Sequence, residues 1–121
     1  MVEWTRLLCV AEPVVARTLG ALPPEVRARV REVAVFLEPV PSDEDLENGA
    51  EEDMLGFFEG ATASDDFSPT PPRLRLWLEN IWLFAGEDWS EFRNEVRITL
   101  LHEIGHFLGW DEEDVAERGL E

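Results

Sequence analysis

The chain has 121 residues, with 27 Asp+Glu against 10 basic residues that are all Arg, giving a formal net charge of −17 with both histidines neutral. One small acidic domain is the expectation, and 45% hydrophobic residues are enough to line its core. So negative a surface repels phosphate backbones and anionic headgroups, no run of basic residues offers a local footprint, and no apolar stretch approaches the roughly 18 to 20 residues of a spanning helix, so no nucleic-acid or membrane partner is expected.

In chain order, Trp4, Leu7, Leu8, Ala11, Val15 and Leu19 recur at three or four, a helical period that predicts a helix from about Glu3 to Leu19 with a kink at Pro13. Pro23-Pro24 can open a second, short helix over Glu25 to Arg31. The β-branched run from Val33 to Leu37 reads as a first strand, closed by Pro39 and Pro41. Residues 38–72 carry 11 acids and no base; within them, residues 41–53 are expected to be a solvated acidic loop. Met54 to Phe58 reads as a second strand, ended by Gly60, and residues 61–72, rich in Ser, Thr, Asp and Pro, as a loop.

Arg73 to Glu79 alternates strictly, which predicts a third strand with Leu74, Leu76 and Leu78 on one face and Arg73, Arg75, Trp77 and Glu79 on the other. Asn80 can cap a short helix over Ile81 to Ala85, and Asp88 with Glu91 three residues later marks the start of a long helix over about 89–108. The lone Cys9 excludes an intrachain disulfide and, on a helical face, is expected to be a small buried hydrophobe. With no secretory-type N-terminus, the cytoplasm is the expected compartment.

The long helix contains His102-Glu103-Ile104-Gly105-His106. A spacing of four puts both imidazoles on one face, about 5 to 6 Å apart at Cβ, as two ligands of one ion require, and imidazole nitrogen suits zinc. Glu103 sits about 100° round the helix, displaced from the ligand pair yet near enough to reach a water at the metal, the position of a general base. From Ile98 onward the helix is apolar on nearly every side except the arc of Thr99, His102, Glu103 and His106. Burying such a stripe is costly unless the groups are paired or hold an ion. Gly109 sits where a left-handed residue would end the helix and turn the chain back, leaving Asp111 and Glu112 as candidates for a third ligand.

The run from His102 through Gly109 to Glu112 resembles the H-E-x-x-H-x-x-G-x-x-D signature of the minimal-zincin metallopeptidases, small bacterial proteins. The resemblance implies an α+β fold in which a small mixed sheet of about three strands packs against an N-terminal helix and a long active-site helix, all within a single domain over residues 1–121. It also implies zinc held by His102 and His106, Glu103 as the catalytic glutamate, and a third ligand whose register falls on Glu112, where the family has Asp. Asp111 is the alternative ligand, although its spacing to Asp114 also suits the N-cap of a final helix over 112–118. The implied activity is peptide-bond hydrolysis by a zinc-activated water with Glu103 as general base; the acidic surface, for its part, leads to the expectation of a peptide or protein substrate that is basic or flexible.

The chain has no Tyr and no further His to stabilise an oxyanion, which leaves Arg73 or Arg75, and the alternating strand from Arg73 is the expected partner for an extended peptide. The alternative function is a zinc-stabilised binding module, without catalysis, that presents its acidic segment to a partner.

Overall fold

The computed structural model describes residues 2–60, 62 and 71–110. They form α1 (Trp4–Gly20), α2 (Pro24–Val30), β1 (Ala34–Glu38), α3 (Asp43–Glu47), β2 (Gly56–Glu59), β3 (Arg73–Trp77), α4 (Leu78–Phe84) and α5 (Trp89–Leu108). Five helices and a small mixed sheet give the expected α+β class. The helix α1 runs without interruption through Pro13, and Cys9 on it is exposed, not buried as its helical register suggested.

The sheet has the order β1-β3-β2, with β1 parallel and β2 antiparallel to the central β3. Alternation sends Leu74 and Leu76 of β3 to a face where both are fully buried, under the long helix α5. Across the register, Phe58 lies opposite Leu74 and Gly56 opposite Leu76, and they share that face. On its other side α5 packs against α1, through a core that includes Leu7, Ala11, Phe92, Val96 and Leu100. Trp82, Trp89 and Phe92 form an aromatic corner, with ring centroids 4.2 Å apart for Trp82–Trp89 and 5.7 Å for Trp82–Phe92. Arg6 covers Trp89 at 4.9 Å. Trp82 is thus part of the core and Trp89 packs against it, half-buried.

The other face of the sheet carries Arg73, Arg75 and Trp77, as the alternation predicts. Trp77 points there yet is fully buried, stacked on Phe57 with centroids 6.3 Å apart. Beside it the Arg75 guanidinium bonds Glu38 at 2.8 Å through Nε, lies 3.5 Å from Glu59, and grips both carboxylate oxygens of Asp45. Asp45 comes from α3, a short helix inside the segment expected to be loop; a reciprocal capping box between Ser42 and Asp45 starts it. A salt bridge from the centre of the sheet thus anchors the acidic segment, with bidentate geometry that makes it stronger than an exposed pair. Asn80, placed inside α4 and not at its cap, fastens the end of the same segment, donating to the carbonyls of Glu52 and Met54 at 2.8 Å each.

The Arg75 hydrogen bonds hold the Asp45 carboxyl down at about 2, against an ordinary value of 3.8. A lowered carboxyl pKa stabilises the fold above its unfolded value and ceases to do so as pH falls through the folded one. The stability difference between wild type and Asp45→Asn is therefore expected to be constant above about pH 5 and to shrink between pH 4 and pH 2, which urea melts at a series of pH values would measure.

Candidate metal centre

The start and end of α5 are set by local chemistry. The Asp88 side chain accepts from the Glu91 backbone N–H at 3.0 Å, capping the first turn. At the other end Gly109 takes a left-handed conformation, φ 75°, with its N–H bonded to the His106 carbonyl at 3.0 Å and that of Trp110 to the Gly105 carbonyl at 2.8 Å. This paired closure is the Schellman motif, which glycine adopts without Cβ strain. It ends the helix three residues after the second histidine.

Between those ends, Leu100, Leu101, Ile104, Gly105 and Phe107 are buried against the rest of the domain, whereas Ile98 is exposed. His102 and His106 emerge on the outward arc with ring centroids 4.5 Å apart and planes at 70°. Glu103 lies between this arc and the core, with its side chain only 8% exposed against 50% for His106. Its Oε2 accepts from His106 Nδ1 at 3.1 Å, a contact that orients the ring and leaves Nε2 as the nitrogen that could ligate an ion. The three residues offer ligand-type atoms that all fall within 4.8 Å of one another.

The two imidazoles, with the Glu103 carboxylate beside them, could hold a metal ion, and imidazole nitrogen is a donor that suits zinc. Among the described residues no arginine pairs with Glu103. Asp111 and Glu112 lie outside the described residues.

Arg73 and Arg75 do not reach this centre. Both point to the outer face of the sheet, where Arg75 is held as described and Arg73 lies 3.4 Å from Glu59. The expectation that either supplies an oxyanion contact is corrected by the strand's alternation, which turns the leucines and not the arginines toward α5. The peptide-pairing role foreseen for their strand is corrected too, because β3 is central and both of its edges are already bonded.

The edge strand beside α5 is β2, and one residue explains how close it comes. A Cβ on Gly56 would sit 2.9 Å from Thr99 Cγ2, 3.0 Å from the Arg75 carbonyl and 3.2 Å from Leu76 Cδ2. Thr99 is buried one turn before Glu103, so this contact sets the spacing between strand and helix at the metal centre, and two residues along the strand, on the same face, Phe58 packs on Phe107 with centroids 5.7 Å apart. The signal in the sequence was a glycine inside a strand pattern, which marks close approach of another segment. Gly56→Ala is expected to destabilise the fold by about 1–3 kcal/mol through overpacking, with partial recovery when Thr99→Ser removes the clashing methyl; urea denaturation of the single and double variants measures both.

The profile of the zincin-like metallopeptidase family matches residues 30–120, about three quarters of the chain. No curated protein matches it. Among the described residues no helix is long and apolar enough to cross a membrane.

Proposed function

The chain belongs to the zincin-like metallopeptidase family, and from that premise we propose that it is a zinc-dependent peptidase with its centre on α5. The observation that carries this reading is the cluster of His102, Glu103 and His106 on the outward arc of the C-terminal half of α5, beside the buried Leu101, Ile104, Gly105 and Phe107. His102 and His106 would hold the ion together with a carboxylate from the segment after Gly109, Glu112 by register and Asp111 as the alternative. Zinc, when bound, supplies Lewis acidity toward a carbonyl and renders water nucleophilic near neutral pH.

The protein's own groups supply the rest. The Glu103 carboxylate, mostly withdrawn from solvent and next to the ligand pair, would take a proton from the attacking water and return it to the leaving amine. Its contact with His106 Nδ1 fixes the position of both side chains before substrate arrives. An extended peptide would add to the edge of β2 that faces away from β3, placing its backbone across the histidine arc, and the net charge of −17 would favour basic sequences.

The test is cleavage of an unstructured peptide library by zinc-loaded and chelator-treated protein, read by mass spectrometry. New peptide termini that appear with zinc and disappear without it support the reading.

The second reading, a zinc-stabilised binding module, draws support from one observation: both arginines that could have served the oxyanion are engaged on the far face of the sheet. It predicts zinc uptake with no cleavage of any library member, together with salt-sensitive binding of basic partners.

A further inference from the structure

The strand β1 is one of the two edges of the sheet. The Ala34 N–H bonds the Pro72 carbonyl, so the even-numbered residues of β1 bond toward β3, and the N–H and C=O groups of Val35 and Leu37 face outward. Among the described residues no backbone group bonds them there. Phe36, on the outer face of the sheet, is 44% exposed, and Val40, just past the strand, 46%. We propose that β1 pairs antiparallel with β1 of a second copy of the chain, about a two-fold axis at Phe36, joining the two three-stranded sheets into one.

Register favours this occupant. Pairing about Phe36 sets Val35 opposite Leu37 of the other copy on both sides of the axis, and the outward groups of all four bond one another. The two Phe36 rings then meet at a non-hydrogen-bonded position, where opposed side chains come closest and aromatic pairs stabilise a ladder. Glu38 falls opposite Ala34, so no like charges face each other within the strands, and its carboxylate is already engaged by Arg75 and Trp77. The strand also lacks the devices that keep edges apart: it holds no proline, no lysine and no bulge in its register with β3.

Charge favours the same occupant. The chain is basic where it enters β1, with three Arg and one Glu over residues 27–32, and acidic where it leaves, with no base over residues 38–72. Arg29 and Arg31 before the strand, and Asp43, Glu44 and Glu47 on α3 after it, are exposed and have no ion-pair partner among the described residues. Antiparallel self-pairing brings the basic end of each copy to the acidic end of the other, twice. A peptide of uniform charge would meet repulsion at one end. The net charge of −17 opposes association at long range, but that field is screened beyond about 8 Å at physiological salt.

The dimer leaves the metal centre open, because β2, the strand beside α5 at that centre, is the opposite edge of the sheet.

The experiment is sedimentation velocity at about 0.15 M salt, from about 1 μM to 1 mM chain. A reversible monomer–dimer equilibrium is expected, at least tenfold weaker in Phe36→Lys, which sets two like charges on the axis, and in Arg29→Glu/Arg31→Glu. Phe36 is exposed, so Phe36→Lys should melt close to wild type, and the double Arg variant serves should it fail to fold. Register is read by cross-linking in a Cys9→Ser background, since Cys9 is itself exposed. Phe36→Cys should form an intermolecular disulfide on mild oxidation, because opposed residues at such a position lie about 4.5 Å apart at Cα. Leu83→Cys, at a site 64% exposed, should cross-link at least tenfold more slowly. Wild type that stays monomeric throughout, association undiminished by Phe36→Lys and by the double Arg variant, or equal cross-linking at the two sites would overturn the proposal.

Discussion

Glu103→Gln is expected to lower kcat/KM for peptide cleavage by about 10²–10⁴-fold while zinc content stays at the wild-type level. The substitution keeps the shape of the side chain, and its amide oxygen can still accept from His106 Nδ1, now 3.1 Å from the carboxylate. It removes only the capacity to take a proton. Because the side chain is 8% exposed, little solvent is available to replace it, and the loss should fall on kcat more than on KM. A fluorogenic peptide assay beside elemental analysis measures both quantities. Unchanged cleavage would show that Glu103 is not the base.

His102→Ala is expected to abolish zinc binding and, with it, the stabilisation that zinc confers. A ligand at 1,000 times its dissociation constant adds about 4 kcal/mol to stability, which for a domain of this size raises Tm by on the order of 10 °C. Wild-type protein should show that rise on adding zinc, and the variant should show none. His102 is exposed, so the metal-free variant should melt close to metal-free wild type, which separates loss of the ligand from loss of the fold. His106→Ala should lose the same response and also free Glu103 from its partner.

The parts of this site that were legible in the sequence are those written in local spacing. Asp88, Gly109 and the four-residue interval between the histidines lie within one helix, and the observed bounds of α5, Trp89–Leu108, agree with them. The burial of Leu74 and Leu76 followed from alternation in the same way.

What the sequence did not disclose depends on which segments become neighbours. Strand order is a long-range property, so nothing near Arg73–Glu79 revealed that this strand would be central, nor that its arginines would turn from α5 toward Glu38, Asp45 and Glu59. The burial of Trp77 on the charged face depends on Phe57, 20 residues upstream, and on Glu38, which accepts from its indole N–H at 3.3 Å. The α3 helix lies in a segment too acidic to show an apolar period; its signal was the Ser42–Asp45 cap alone.

The central claim is that α5 carries a metal centre, and zinc stoichiometry tests it most directly. Wild-type protein incubated with zinc and desalted should retain about one zinc per chain by elemental analysis. Retention of none would contradict the account, since the juxtaposition of His102, Glu103 and His106 would then hold no ion and the chemistry built on it would have no centre.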